Sequence, residues 1–143
     1  MKISTRGRYA LRVMIDLAEH GGENYIPLKD IVQRQDISQK YLEGIMTDLS
    51  KAGVLDGQHG KGGGYKLNRT PDQITVLDVL LTTEGDLAPI SCLDKGAEPC
   101  ARAAECRTLP MWEKFYELIR NYFSSVTLAD LMLTGSDGDN YVI

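Results

Sequence analysis

Two helical patterns separated by only two residues limit the folds open to this chain more than any other feature of its sequence. The first pattern covers residues 28–35 and the second residues 38–52, with a break at Asp36-Ile37. Pro27 suits the start of the first helix, and Ser38 can accept a backbone hydrogen bond as the N-cap of the second. Two helices joined by so short a turn predict a helix-turn-helix motif.

A glycine-rich segment follows the second helix and reads H-G-K-G-G-G-Y-K-L from His59 to Leu67. It predicts a β-hairpin whose tip is almost entirely glycine and basic residues. Glycine tolerates positive φ and lets backbone N–H groups approach a phosphate or enter a minor groove. The hairpin is therefore interpreted as a wing. A phosphate-binding nucleotide loop fits less well, because the Walker pattern is absent and no helix follows the glycines.

The charge of the chain is divided unevenly between its two halves. Residues 1–70 contain 11 Lys and Arg against 8 Asp and Glu, whereas residues 71–143 contain 5 against 12. A basic front half is compatible with an N-terminal face that binds nucleic acid. No histidine has a carboxylate or a nucleophile evidently arranged beside it, so an enzyme is not predicted.

Candidate DNA contacts fall on the second helix, the wing and the start of the chain. Side chains of the second helix can read base edges, and a glutamate there can accept a hydrogen bond from cytosine N4. The predicted base-reading residues are Ser38, Lys40, Tyr41 and Glu43. His59 and Lys61 are the predicted wing contacts, and Lys2, Thr5, Arg6, Arg8 and Lys66 the predicted phosphate contacts. For the basic residues near the N-terminus, a solvated helix face is the alternative.

All three cysteines, Cys92, Cys100 and Cys106, lie in one segment that lacks an apolar period and is predicted to be a loop. Three soft thiolates on one loop indicate an iron–sulfur or metal site. Zinc, a thiol redox switch and no cofactor are the alternatives. The sequence shows no signal-peptide pattern and no membrane-spanning run, so we expect a cytoplasmic protein with reduced thiols rather than a disulfide framework.

A long helix is predicted to start at Pro110 and to carry an apolar seam with spacings of three and four residues. The seam consists of Met111, Trp112, Phe115, Leu118, Ile119, Tyr122 and Phe123. Because little of the chain remains to cover it, a second copy of the helix in a homodimer is the expected cover, with core packing as the alternative.

These features predict a mainly α fold with a small β-hairpin wing, in four parts. Residues 1–85 form a winged helix-turn-helix domain, and residues 86–109 form the cysteine-bearing cofactor loop. Residues 110–133 form the dimerisation helix and a following short helix. Residues 134–143 form an acidic tail that is expected to be flexible.

Several motifs together resemble the IscR/NsrR/CymR family of bacterial winged-helix transcriptional regulators, over about residues 1–133. They are K-I-S-T-R-G-R-Y-A-L, Y-L-E, G-K-G-G-G-Y, the cysteine loop and M-W…V-T-L-A-D-L. The resemblance implies a homodimeric repressor that places each recognition helix in a major groove and each wing in a minor groove of a palindromic operator. In members with the cysteine loop, an iron–sulfur cluster held there changes the affinity for DNA or the choice of DNA sequence. A cluster of the 2Fe–2S type is expected for this chain.

The resemblance leaves the fourth ligand of such a cluster open. Members like the iron–sulfur cluster regulator carry a histidine where this chain has Leu109, and members that sense nitric oxide carry an aspartate where it has Arg8. The candidates for this position are Asp94, Glu98, Glu105, a residue of the other subunit, water and a small molecule. The signal implied is iron–sulfur status, oxygen or nitric oxide.

Members like the cysteine-metabolism repressor lack the three cysteines and are controlled by a partner enzyme of cysteine synthesis. The terminal residues Tyr141-Val142-Ile143 resemble the end of that branch. A cluster-free regulator of sulfur metabolism, controlled by a cysteine-synthase-like partner or by thiol oxidation, is therefore the alternative function.

Overall fold

A computed structural model describes residues 2–132 and shows, in that part of the chain, six α-helices and one two-stranded antiparallel sheet. The elements in chain order are α1 (Thr5–His20), α2 (Leu28–Gln35), α3 (Gln39–Lys51), β1 (Leu55–Gln58), β2 (Gly64–Leu67), α4 (Val76–Glu84), α5 (Leu109–Ser125) and α6 (Leu128–Leu131). This mainly α fold with a hairpin confirms the predicted fold class. The predicted acidic tail, residues 134–143, lies outside the described residues.

The helix-turn-helix motif forms where the sequence predicts it. Asp36 ends α2 in the left-handed conformation, with φ of 54°, and its N–H donates to the carbonyl of Val32. The backbone N–H of Tyr41 donates to Ser38 Oγ at 3.3 Å, so Ser38 is the N-cap of α3 as predicted. The C-cap of α2 and the N-cap of α3 together define the turn between the two helices.

The main core lies between the first three helices, the wing and the residues around α4 and α6. Its fully buried side chains include the predicted inner stripe of α3, namely Leu42, Ile45, Met46 and Leu49. The wing joins this core through a bridge in which Ile26 and Tyr65 exchange backbone hydrogen bonds of 2.8 and 2.9 Å. A Cβ at Gly64 would lie 2.1 Å from the carbonyl oxygen of Ile26, so the bridge requires glycine there.

A second, smaller core joins α4 to α5. Val76, Leu80 and Leu87 are buried in it, and Ile3 from the start of the chain packs against it. Helix α4 begins at Val76, after a separate 3-10 turn formed by Pro71–Gln73. Helix α5 begins one residue before Pro110, which is its second residue.

None of the helices described within residues 2–132 is both long enough and apolar enough to cross a membrane.

Candidate nucleic-acid interface and cysteine loop

The outer face of α3 presents the four predicted base-reading residues. Ser38, Lys40, Tyr41 and Glu43 are exposed, while the apolar stripe of the same helix is fully buried. Gln39 Nε2 donates to the Glu43 carboxylate at 3.2 Å and orients it. The structure therefore exposes this row of polar groups to solvent, where a partner as large as a DNA duplex can reach them.

The side chain of Tyr41 is held against α1 rather than standing free in solvent. Its ring meets the ring of Tyr9 edge to face, with 5.8 Å between centroids. The Tyr9 ring also contacts the guanidinium of Arg12, which lies 5.0 Å from the ring centroid. Arg12 Nε in turn donates a hydrogen bond to Gln35 Oε1 at 3.2 Å. These contacts connect the N-terminal end of α3 to α1 and α2.

The basic residues at and just before the start of α1 differ in whether they form an ion pair within the chain. Arg6 forms an ion pair with Asp48 of α3, so this predicted phosphate contact already has an anionic partner within the chain. Arg8 donates to Thr5 Oγ1 at 3.0 Å, and both of these residues are exposed together with Lys2. The exposed members extend the polar face of α3 across α1.

A cleft of about 750 Å³ separates α3 from the wing. Glu43 and Thr47 line it from α3, and His59 lines it from the wing. Lys29 and Lys51, which were not among the predicted contacts, bring two positive charges to its walls, against one negative charge from Glu43. Lys29 lies near the start of α2 and Lys51 at the end of α3. Their positions at the ends of the helix-turn-helix helices could have identified them from the sequence.

The remaining wing residues are also placed by the structure. His59 and Lys61 are exposed near the hairpin tip. Lys66 is half-buried, with Nζ 4.8 Å from the centroid of the Tyr25 ring. Lys66 therefore contributes its stem to packing as well as its charge to the surface.

A buried carboxylate that the sequence analysis missed lies behind this surface. Asp16 is 1% exposed and accepts hydrogen bonds from Arg34 Nη2 at 2.7 Å, Arg34 Nε at 2.9 Å and Gln35 Nε2 at 2.8 Å. Burial raises the pKa of Asp16, but these hydrogen bonds outweigh it and the pKa is lowered. The group stays charged and binds α1 to α2.

The expectation that no carboxylate lies beside a histidine was wrong for His20. Its Nδ1 is 3.8 Å from Asp16 Oδ1 and 2.9 Å from the Asp16 carbonyl oxygen. The two residues are one helical turn apart, and the sequence pattern does not show that Asp16 turns inward. Because Arg34 and Gln35 already occupy the carboxylate, the arrangement supports the helix packing rather than catalysis.

The cysteine loop is open in the structure. Cys92 and Cys100 are exposed and Cys106 is half-buried. Within residues 2–132 no three His, Cys, Asp or Glu side chains are grouped closely enough to hold a metal ion. The donor chemistry of three thiols suits an iron–sulfur cluster or zinc. The loop must draw them together before they can share one.

Cys106 differs chemically from the other two thiols because it lies just before α5. A hydrogen bond with Thr108 Oγ1, at 3.5 Å from the sulfur, lowers the pKa of Cys106, and the backbone N–H groups of Thr108 and Leu109 lower it further. Thiolate is the form that binds metals and reacts with oxidants. The Cys106 thiol therefore ionises more readily than an ordinary cysteine thiol.

The start of the loop is braced by Asp86. Its carboxylate accepts from the N–H of Ala88 at 2.9 Å and from the N–H of Lys95 at 3.0 Å. The bond from Lys95 and then the bond from Ala88 lower the pKa of Asp86. The hydrogen bond from Lys95 joins the two ends of the segment 86–95. Leu87 anchors this segment in the smaller core.

The predicted dimer seam on α5 has two sides. Ile119 and Phe123 pack on the smaller core, and Tyr116, absent from the prediction, joins them. Trp112 is half-buried with its ring edge toward Phe115 at 6.4 Å between centroids. The outward stripe consists of Met111, Phe115, Leu118 and Tyr122, which are 39–65% exposed. A stripe of this size is available to a second subunit.

Comparison with known proteins gives a consistent set of relatives. A family model described as "Rrf2: Iron-dependent Transcriptional regulator" matches residues 3–134. Protein rrf2 of Nitratidesulfovibrio vulgaris is 40% identical over 136 residues, which cover 95% of this chain and 90% of that protein. The HTH-type transcriptional regulator IscR of Aliivibrio salmonicida is 36% identical over 133 residues, covering 93% of this chain and 78% of IscR.

The fold also resembles that of a solved regulator. The structure of CymR (YrzC), the global cysteine regulator of B. subtilis, matches with a TM-score of 0.72 and 36% identity. The match covers 92% of this chain and 95% of CymR.

Proposed function

The chain belongs to the Rrf2 family of transcriptional regulators, and on that premise we propose that it is a homodimeric repressor whose operator binding is controlled from the cysteine loop by an iron–sulfur cluster. Family membership implies DNA binding and dimerisation, and the relatives compared above are regulators, consistent with a protein that is not an enzyme. A regulator of transcription acts on the chromosome, so the cytoplasm of a bacterium is the proposed location.

The observation that carries the proposal is the exposed polar face of α3 beside a basic cleft and wing. In the proposed complex each α3 lies in a major groove, where Ser38, Lys40, Tyr41 and Glu43 meet base edges. His59 and Lys61 approach the adjacent minor groove with the wing. Phosphate contacts come from Lys2, Thr5, Arg6, Arg8 and Lys66.

Dimerisation supplies the second half of a palindromic site. The outward stripe of α5 faces the same stripe of a second copy in the proposed dimer, which buries its exposed apolar groups. The two α3 helices are then related by a two-fold axis, and the operator shares that symmetry. Anything that moves the start of α5 therefore changes the spacing of the two reading surfaces.

The cysteine loop is the proposed control element because it leads directly into α5. Cys92, Cys100 and Cys106 would hold a 2Fe–2S cluster, with the fourth position open to a carboxylate, a residue of the other subunit or water. Such a cluster supplies a labile, redox-active centre that responds to oxygen, nitric oxide or iron–sulfur supply. The three thiols lie apart in the structure, so holding a common ligand requires the loop to close.

A cluster-free regulator is the second candidate, and the similarity to a cysteine regulator favours it. The chain is similar to CymR, the global cysteine regulator of B. subtilis. In this case Cys106, the thiol with the lowered pKa, is the proposed site of oxidation. A cysteine-synthase-like partner is the alternative source of control.

Anaerobic purification followed by a visible spectrum and a count of iron, sulfide and zinc per chain tests the proposal. Iron and sulfide in matching amounts, with a chromophore that Cys92→Ala, Cys100→Ala and Cys106→Ala each remove, support the cluster. Ser91→Ala, next to a proposed ligand, is the control that keeps the chromophore. A colourless protein that iron and sulfide cannot reconstitute supports the second candidate, and bound zinc alone contradicts both.

A further inference from the structure

Glu84, the last residue of α4, makes an unexpected contact with the first turn of α1. Its Oε1 accepts a hydrogen bond from the Ser4 hydroxyl at 2.6 Å and another from the Ser4 backbone N–H at 2.9 Å. Ser4 is the N-cap of α1, because its Oγ accepts from the N–H of Gly7 at 3.0 Å. One carboxylate thus holds the residue that starts the helix.

The contact also has an electrostatic reason. The first turn of α1 carries no acidic residue, although the N-terminus of a helix favours negative charge. Glu84 brings that charge from another element. The fit is close, since a Cβ at Gly7 would lie 2.3 Å from Glu84 Oε1, and only glycine allows the carboxylate to approach this far.

On one side, Glu84 is directly connected to the cysteine loop. Gly85 follows it with φ of 79°, and Asp86 then braces the loop through the N–H groups of Ala88 and Lys95. Only Gly85 therefore separates Glu84 from the residue that braces the loop.

On the other side, Ser4 is directly connected to the surface proposed to bind DNA. Arg6, two residues after Ser4, forms the ion pair with Asp48 of α3. Its guanidinium also lies 3.6 Å from where a Cβ on Gly44 would stand, so it covers part of the reading helix. Thr5 and Arg8, both proposed phosphate contacts, belong to the same turn of α1.

We propose that Glu84 is a positioning residue that couples the cysteine loop to the DNA-binding surface by holding Ser4 and, through it, the Arg6–Asp48 pair. The coupling deepens the proposed function and rests on it, because it needs the surface of α1 and α3 to bind DNA. It does not depend on what the loop binds. By thermodynamic reciprocity, a loop that influences DNA binding must itself respond when DNA binds.

Hydrogen–deuterium exchange measures that response in the full chain. The probe is a palindromic duplex selected by this protein from a random-sequence library, and the reporters are the amides of Ala88 and Lys95, which Asp86 holds. We expect saturating duplex to change their exchange rates about fivefold or more in the unaltered protein. In Glu84→Ala the change should fall below about twofold, even where the protein is saturated with the same duplex.

Two further variants separate the coupling from stability. Glu84→Gln keeps an oxygen that Ser4 can donate to, so the response should be retained. Asp78→Ala removes the carboxylate that caps the other end of α4 through the Thr75 N–H at 2.9 Å. It should weaken the same helix without altering the response. Should Glu84→Ala fail to fold, Gly7→Ala displaces the carboxylate from the opposite side and should abolish the response in the same way.

The outcomes are distinguishable. Duplex bound without a response in the unaltered protein overturns the coupling alone, and so does an equal response in Glu84→Ala. Failure of the unaltered protein to select or bind any duplex overturns the proposed function and the coupling with it.

Discussion

The guanidinium of Arg34 on α2 holds the buried carboxylate of Asp16 on α1 at 2.7 and 2.9 Å from its two oxygens. The pair fastens together the helix that carries the N-terminal basic residues and the first helix of the helix-turn-helix motif. Gln35 completes the set at 2.8 Å and connects it to Arg12 at the surface. The position of the surface proposed to bind DNA thus depends on a buried interaction behind it.

Asp16→Asn should lower the free energy of unfolding by about 2 kcal/mol, because one of the buried oxygens that accept from Arg34 and Gln35 becomes an amide NH2 that cannot accept. Urea unfolding followed by circular dichroism at pH 7 measures the loss. Asp56→Asn, which changes an exposed carboxylate in β1, should stay within about 0.5 kcal/mol of the unaltered protein. A loss no greater than that of the control would contradict a stabilising role for the pair.

The same pair predicts how stability depends on pH. Since the pKa of Asp16 is lowered in the folded protein, its contribution is fully present above the unfolded pKa, near about 4. The contribution is lost as the pH falls through the lower folded value. The gap in unfolding free energy between the unaltered protein and Asp16→Asn should therefore shrink as the pH falls below about 4. A gap that persists undiminished in strong acid would show that the charge of Asp16 is not responsible.

Local sequence patterns were sufficient to predict the helix-turn-helix motif. The period of Leu42, Ile45, Met46 and Leu49 identified the inner face of α3, and Ser38 marked its start. Both signals act within a few residues of each other, so a single sequence contains them. The outward residues of α3 follow once the inward ones are known.

Interactions between distant segments could not be predicted in the same way. The partners of Asp16 lie 18 and 19 residues away, and Ser4 is 80 residues from Glu84. On α5 the apolar spacing is continuous around more than one face, so the period alone cannot tell that Ile119 turns toward α4 and Leu118 away from it. Whether the three thiols meet depends on loop closure, which spacing does not determine.

Base selection should change when Glu43 loses its carboxylate. Glu43→Ala removes the acceptor proposed for cytosine N4, so the preference at one position of each half-site should weaken by about tenfold. Selection from a random-sequence duplex library, followed by sequencing, measures the preference at every position. Glu113→Ala, an exposed carboxylate on α5, is the matched control and should select the same sequence as the unaltered protein. An unchanged preference in Glu43→Ala would remove Glu43 from the reading residues.

Lys51, on the wall of the cleft between α3 and the wing, should contribute a phosphate contact rather than base selection. Lys51→Gln removes one of its positive charges, so binding should weaken for all sequences alike and the slope of log affinity against log salt should fall by about 1 per subunit. Fluorescence anisotropy at several salt concentrations gives the slope. Lys114→Gln on α5 removes a lysine whose partner is Glu117, at 3.7 Å, and should leave the slope unchanged. A slope equal to that of the unaltered protein would exclude Lys51 from the contact.

The outward stripe of α5 should be required for the dimer and, through it, for cooperative binding of a palindrome. Leu118 is 54% exposed and lies in the middle of the stripe, so Leu118→Glu places a charge at the centre of the proposed interface without disturbing the packing on α4. We expect a folded monomer in sedimentation equilibrium and a large loss of affinity for a two-half-site duplex, because two reading helices no longer bind as one unit.

Ser124→Glu adds the same charge to the exposed end of α5 outside the stripe, so this control should stay dimeric. Ile119→Ala should lower stability instead, since Ile119 packs on the smaller core. A Leu118→Glu protein that remains a dimer with full affinity would place the subunit interface elsewhere on the molecule.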